Sequence, residues 1–215
     1  MNKSVYSLVL MDDVVAEIDR VAYEMNTSRS NMVNQILAEH VSYVTPERRM
    51  RAVFSRIERL LVEESVFQLM LQPSESMFSL RSALSYKYNP SIRYSVELYA
   101  DASPNIGVLR VSLRSQNSAL TLAMLQFFKL WSRVEYALIG GTEYALEDTR
   151  YTRKLRQAAD RELRHEALGE AIAAYIALFD RALKRYFESL HNPEYAVRQV
   201  ERLYAEHLRD GAIIL

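Results

Sequence analysis

The chain has 215 residues, with 27 basic and 27 acidic side chains, so its formal net charge is zero. Its 5 glycines and 5 prolines leave little room for long loops and favour a helix-rich globular protein. The absence of cysteine excludes disulfides, zinc–thiolate and iron–sulfur sites and thiol catalysis. No signal-peptide pattern is present, and no segment has the roughly 18 apolar residues of a membrane span. We therefore expect a cytoplasmic protein without a membrane partner.

The first 44 residues show the clearest pattern. The more hydrophobic set Tyr6, Leu8 and Leu10 alternates with Val5, Ser7 and Val9, and this period of two over six residues predicts a short strand. Asp12 or Asp13 can cap a first helix, and Ser28 can cap a second, because these side chains accept hydrogen bonds from free first-turn N–H groups. A unit this small cannot enclose a core by itself. It must pair with a second copy or pack against the rest of the chain.

This segment resembles the ribbon-helix-helix domains of the Arc and MetJ repressor superfamily. The resemblance rests on the alternating strand, the Leu-Met-Asp-Asp corner that follows it, the Ile18–Ala22 run in the first helix and the Ser28-Arg29-Ser30 turn. It implies an intertwined homodimer. The strands of two chains would pair into an antiparallel ribbon, which fits the major groove of double-stranded DNA.

The resemblance also implies positions for individual side chains. Tyr6, Leu8 and Leu10 would face the dimer core. The base-facing side of the ribbon would carry Lys3, Val5, Ser7 and Val9. The start of the second helix would bind a DNA phosphate through Ser28, Arg29, Ser30 and Asn31, because free N–H groups and the helix dipole favour an anion there.

Residues 1–44 are acidic, since Lys3, Arg20 and Arg29 stand against six acidic residues, giving 3 − 6 = −3. Because DNA affinity depends on neutralising phosphates, further basic residues are needed. A helix is predicted over 45–72, with Thr45 as its N-cap and Pro46 at its first position. It contains five of them: Arg48, Arg49, Arg51, Arg56 and Arg59. They either form a phosphate clamp or are the solvated face of an amphipathic helix.

The remainder of the chain predicts a mainly helical body of the α+β class, residues 45–215, behind the domain at 1–44. Residues 77–115 alternate between apolar and polar side chains and contain turn signals, which predicts a three-stranded antiparallel meander. Further helices are predicted over 118–138, 152–190 and 193–209.

Tyrosines and arginines recur along the predicted meander. The set is Tyr86, Tyr88, Tyr94 and Tyr99 with Arg81, Arg93, Arg110 and Arg114. They either form a nucleic-acid or ligand surface through stacking and phosphate contacts, or are ordinary residues of a half-exposed sheet. The spacing of the aromatic residues matches no known base-stacking motif, so it does not favour the first interpretation.

The sequence offers no catalytic residues. Two Glu-x-x-His pairs, Glu162/His165 and Glu188/His191, have the spacing used in di-iron bundles, but no matching glutamates accompany them. We therefore predict no metal, no cofactor and no enzymatic activity. The leading hypothesis is a homodimeric DNA-binding protein, a transcriptional regulator whose body serves oligomerisation or binds a protein or small-molecule effector. The alternative is an interaction protein that uses the N-terminal unit only to dimerise.

Overall fold

A computed structural model describes residues 5–41, 43–63, 66–71, 74–100, 104–147, 149–157, 163–213 and 215. The chain divides into two compact units, Met1–Arg49 and Met50–Leu215. Among the described residues, no helix is long and apolar enough to cross a membrane.

The first unit contains helix α1 (Asp12–Glu24) and helix α2 (Arg29–His40). Asn26, with a φ of 49°, turns the chain between them. The predicted cap of α2 is confirmed, because Ser28 Oγ accepts a hydrogen bond from the Asn31 N–H at 3.3 Å. Met11, rather than Asp12 or Asp13, occupies the N-cap position of α1, and no side chain caps that helix.

The strand predicted over 4–10 is not formed by the described residues 5–10 of this chain, and the first regular element is α1. No backbone hydrogen bond joins these described residues to another segment. A strand needs a neighbouring strand to satisfy its backbone groups, and the described part of the single chain offers none here. This part of the predicted fold class is therefore wrong for the chain taken alone.

Helix α3 (Pro46–Val62) begins as predicted, with Thr45 Oγ1 accepting from the Arg48 N–H at 3.2 Å. It ends at Val62 rather than near residue 72 as predicted, because the chain goes on to form a short strand at Phe67–Leu69. Its apolar side is buried, with Val53, Ile57 and Leu61 nearly inaccessible to solvent.

The second unit is built on a six-stranded antiparallel sheet, so the prediction of a mainly helical body with a three-stranded meander is wrong. The strands are β1 (Phe67–Leu69), β2 (Met77–Ala83), β3 (Ser91–Leu98), β4 (Asn105–Leu113), β5 (Tyr144–Glu147) and β6 (Arg150–Arg156). Their order across the sheet is β1-β2-β3-β4-β6-β5. The three predicted strands are present as β2, β3 and β4, but the sheet continues on both sides of them.

Three helices complete this unit: α4 (Ser118–Ile139), α5 (His165–Glu188) and α6 (Pro193–Arg209). The first and last agree with the predicted helices, and both are capped by asparagine side chains, Asn117 and Asn192. The predicted helix over 152–190 is wrong in its first part. Residues 150–156 form β6, in which Tyr151, Arg153 and Leu155 are buried and alternate with more exposed neighbours.

One face of the sheet forms the core with these helices. Phe179 of α5 contacts the rings of Tyr94 on β3 and Tyr151 on β6, with centroids 6.2 and 5.4 Å apart. Phe128 of α4 also contacts Tyr151, at 5.8 Å. Alternation along each strand then places polar side chains on the opposite face, where Arg81 pairs in register with Arg93.

Candidate functional site

The predicted ribbon segment is exposed on both of its sides. Val5 and Val9 are 100% and 102% accessible, and Ser7 is also exposed. On the other side, Tyr6 and Leu8 are exposed as well. Lys3, which belongs to the same predicted base-facing set, lies outside the described residues. An apolar segment of this kind is stable in water only when another surface covers part of it.

The start of α2 retains free hydrogen-bond donors. Ser28 engages the N–H of Asn31, and the Asn31 side-chain amide donates to Thr27 Oγ1 at 2.8 Å. The N–H groups of Arg29 and Ser30 lie in the first helical turn, where the helix itself provides no acceptor. They can donate to an anion, and the helix dipole favours negative charge at this end.

Arg29, the predicted phosphate ligand, already has an anionic partner. Its Nε donates to Asp19 Oδ1 at 2.6 Å, and its Nη2 contacts Asp19 Oδ2. The hydrogen bond to Arg29 lowers the pKa of Asp19 below its usual range, and the same bond raises the pKa of Arg29. Both side chains are largely exposed. A phosphate at this helix end must therefore share Arg29 with Asp19 or displace that carboxylate.

The five arginines of the predicted clamp are divided between the two units. Arg48 and Arg49 belong to the first unit. Arg48 Nη2 lies 3.5 Å from Glu39 Oε1, and both side chains are exposed. An exposed pair at this distance is weak, so Arg48 can exchange its partner for a phosphate at little cost.

The other three arginines of the set belong to the second unit. Arg51 Nη2 lies 3.4 Å from Glu75 Oε1. Arg56 contacts the carboxylate of Glu170 on α5 and is three-quarters buried. Arg59 is exposed. Arg56 therefore has a structural role between α3 and α5, and Arg51 has an acidic partner of its own.

The Tyr–Arg set of the meander does not form one surface either. Tyr94 is buried and donates its hydroxyl to Asp180 at 2.9 Å. Tyr86 packs edge-on against Phe187, with centroids 5.7 Å apart. Arg93 bonds to the Ser95 hydroxyl on the polar face at 3.2 Å. Within the strands, alternation places Tyr94 on the face opposite to Arg93, and Tyr86 lies outside the strands, so these members do not share one surface.

A buried polar cluster, which the sequence analysis did not find, lies in the core of the second unit. Glu135 on α4 is fully buried, and its Oε1 lies 3.1 Å from Arg153 Nε. Three tyrosine hydroxyls donate to the same carboxylate: Tyr151 at 2.7 Å, Tyr175 at 2.9 Å and Tyr204 at 3.1 Å. Glu135 lies four residues after the buried Trp131 and therefore on the same face of α4, and this spacing is the signal that could have identified it.

The guanidinium of Arg153 is held by more than its carboxylate partner. It lies 4.6 Å from the ring centroid of Tyr175, in a cation–π contact. Its Nε and Nη1 are both buried and make no hydrogen bond among the described residues, so Nε contacts Glu135 as an ion pair. A small cavity of about 10 Å³, which is room for a single water, adjoins Arg153, and Ile213 and Leu215 are among the residues that line it. A site of this volume does not admit a substrate, so we assign the cluster a structural role.

The Glu-x-x-His pairs form no metal-binding arrangement among the residues that the structure describes. Glu162 lies outside the described residues, and Glu188 pairs with Arg185 at 2.9 Å. Among the residues that the structure describes, no three histidine or acidic side chains come together as a possible metal site.

Comparisons of this chain with protein-family models, with curated proteins and with solved structures give no match. The resemblance of residues 4–44 to ribbon-helix-helix domains therefore rests on those residues alone.

Proposed function

We propose that this protein is a homodimeric DNA-binding protein that acts as a transcriptional regulator. The observation that carries the proposal is the exposed, alternating segment at 5–10, which precedes a pair of short helices, α1 and α2. This is the order of elements that the ribbon-helix-helix resemblance implies. The body beyond residue 45 would then bind an effector or partner, or extend the oligomer.

A second copy of the chain is the partner that best fits the segment. The first unit buries few large side chains, with Ala22, Met32 and Ala38 as its buried apolar residues among those described. Tyr6, Leu8 and the exposed apolar side chains of α2 stay in water unless another surface covers them. In an antiparallel ribbon of two copies, the backbone N–H and C=O groups of 5–10 would pair with each other. The same pairing would bury one side of both segments.

The ribbon would present Val5, Ser7 and Val9 to the bases. Serine can donate to or accept from either base edge, and valine can contact a thymine methyl group. The free N–H groups of Arg29 and Ser30, together with the Arg29 guanidinium, would hold the DNA backbone on each side. Because the unit is acidic and has few basic side chains to neutralise phosphates, we expect weak binding with a shallow dependence on salt.

The test combines a measurement of mass with one of DNA binding. Sedimentation should show a dimer that Leu8→Glu converts to a monomer, because Leu8 belongs to the side buried in the ribbon. Selection from a random duplex library at about 50 mM salt, where the electrostatic attraction is strong, should return a preferred sequence. A monomeric wild-type protein, or no binding to any duplex at that salt, would refute the proposal.

Substitutions separate the roles of the two predicted contacts. Arg29→Ala should weaken binding to all sequences, because phosphate contacts carry no sequence information. Ser7→Ala should change the sequence preference instead. Arg20→Ala is the matched control, since Arg20 is an exposed arginine that pairs with Glu17 and Glu24 on α1. An equal loss for Arg29→Ala and Arg20→Ala would contradict the phosphate role.

The second candidate function is an interaction protein that uses the N-terminal unit only to dimerise. The pairing of Arg29 with Asp19 favours it, because the predicted phosphate ligand is already neutralised. This candidate predicts that the wild-type protein is a dimer with no measurable DNA affinity and that Leu8→Glu still abolishes the dimer.

A further inference from the structure

A cleft lies between α5 and α6 beside the turn that connects them. It has a volume of about 260 Å³. Arg181, Arg185 and Ser189 line one side, and Tyr195, Gln199 and Arg202 line the other. All of these residues belong to the second unit, so the cleft is formed within one compact body.

The lining of the cleft carries three arginines and no acidic side chain. Arg185 pairs with Glu188 at 2.9 Å, and Arg202 lies 3.6 Å from Glu206, but neither glutamate lines the cleft. These pairs are largely exposed, so they leave the arginines available to a ligand. Three guanidinium groups around one concave surface create a positive potential that attracts an anion.

Arg181 differs from the other two arginines. It has no hydrogen-bond or ion-pair partner among the described residues. Arg185 lies one helical turn further along α5. Burial lowers the pKa of the nearby His207, and the positive charge of Arg181 lowers that pKa further. The cleft therefore has one cation whose donors are available for a bound anion.

We propose that this cleft binds a small phosphate monoester. A guanidinium donates two parallel hydrogen bonds to a phosphate, and three arginines can surround its oxygens. The Ser189 and Tyr195 hydroxyls add neutral donors and acceptors for the rest of the ligand. Gln199, whose Oε1 accepts from Arg202 Nη2 at 3.1 Å, adds its amide N–H donors. The volume lies just below the range of ordinary small-molecule pockets, which suits a ligand the size of a sugar phosphate or a nucleoside monophosphate.

Calorimetric titration of the full chain tests the proposal with three probes: inorganic phosphate, glucose 6-phosphate and adenosine monophosphate. We expect saturable binding of at least one ester, with one site per chain and an affinity higher than that of inorganic phosphate. Adenosine and glucose are the uncharged controls and should not bind. Stronger binding of one ester than of the other would identify the source of the phosphate group.

Arg181→Gln and Arg202→Gln should each weaken ester binding by about tenfold or more, because each removes charge-assisted hydrogen bonds to the phosphate. Arg198→Gln is the matched control, since Arg198 is an exposed arginine of α6 that does not line the cleft. Circular dichroism should show that all three variants fold.

Three outcomes would overturn the proposal: no saturable binding of any phosphate probe at about 10 mM, equal binding of adenosine and adenosine monophosphate, or an equal loss of affinity in Arg198→Gln. The titration contains no DNA, so its result does not depend on the proposed function of the N-terminal unit.

Discussion

Arg153 Nε lies 3.1 Å from Glu135 Oε1, and the two side chains are 1% and 0% exposed. The pair joins β6 to α4, and the hydroxyls of Tyr175 on α5 and Tyr204 on α6 bond to the same carboxylate. One buried charge pair thus connects the sheet to three helices. Burying charge in this way is costly unless each charge keeps its partner.

We predict that Glu135→Gln destabilises the protein by about 3–5 kcal/mol, because it leaves the Arg153 charge buried without compensation. Urea denaturation at pH 7 measures the loss. The double variant Glu135→Leu with Arg153→Met should lose much less than the sum of the two single changes, since it removes both charges together.

Glu147→Gln provides the control for this prediction. Glu147 and Arg150 form an exposed pair at 3.3 Å, and such pairs contribute about 0–1 kcal/mol. A loss in Glu135→Gln no larger than the loss in Glu147→Gln would contradict the assigned role of the buried pair.

The buried tyrosines predict a loss of stability at alkaline pH. Burial, and after it the negative charge of Glu135, raises the pKa of Tyr175 and Tyr204 above the usual value of 10.0. The folded protein keeps these protons at a pH where the unfolded chain releases them. Their contribution is therefore complete below pH 10 and falls above it, by up to about 1.4 kcal/mol per pH unit for each tyrosine.

Tyr204→Phe tests this linkage. At pH 7 the variant should be less stable than the wild type, because it loses the hydrogen bond to Glu135. The difference should shrink as pH rises above 10, since phenylalanine has no proton to release on unfolding. Urea denaturation between pH 7 and 11 gives the comparison. A constant difference over that range would show that Tyr204 is not linked to the alkaline loss.

The same cluster explains where sequence reasoning about the body failed. Arg153 occupies a core position of β6, and a charged residue there hides the alternation of Tyr151 and Leu155. The segment consequently resembled the start of the following helix. Only its contact with Glu135, 18 residues earlier in the chain, makes that position tolerable for an arginine. Local patterns do not contain such a pairing.

Local capping chemistry made several helix starts predictable from the sequence, although the cap expected at Asp12 or Asp13 is not formed. Capping by Ser28, Thr45 and Asn192 depends on neighbouring backbone groups, and the helices α2, α3 and α6 begin where those residues are. The extent of the sheet depends on pairing between distant strands and was not predictable in this way. The α5–α6 cleft was not predictable from the sequence for the same reason, because its arginines come together only through helix packing.

The close packing around Gly169 predicts that the stability of the protein is sensitive to a larger side chain at this position. A Cβ at this position of α5 would lie 2.8 Å from Arg56 Cβ and 3.0 Å from the Val53 carbonyl oxygen on α3. In an exposed helix, Gly→Ala stabilises by up to about 1 kcal/mol. Here we expect Gly169→Ala to destabilise by about 1–3 kcal/mol, because it forces α3 and α5 apart. Thermal unfolding measures the change, with Ala174→Gly at an exposed position of α5 as the control for helix propensity. A stabilised Gly169→Ala variant would show that the two helices do not pack this closely.

The Asp19–Arg29 pair predicts the titration of a single carboxyl group. The hydrogen bond from Arg29 holds the pKa of Asp19 below the usual 3.8. The stabilising effect of this pair is therefore present above that pH and is lost as the pH falls through the folded-state pKa. Carboxyl-detected NMR should show the low value in the wild type and a return towards 3.8 in Arg29→Ala. An unchanged pKa in Arg29→Ala would exclude the pair in solution.

The same pair determines what a change at Asp19 should do to DNA binding. If Arg29 contacts phosphate as proposed, Asp19→Asn releases its guanidinium and should tighten binding by about threefold to tenfold at low salt. Glu24→Gln on the same helix removes an equal charge from the pair with Arg20 and controls for net charge alone. Fluorescence anisotropy with duplex DNA at about 50 mM salt compares the two variants. If both tighten binding equally, charge alone explains the gain. If only Asp19→Asn does, Asp19 competes with the phosphate for Arg29, and this competition accounts for an acidic unit that binds DNA.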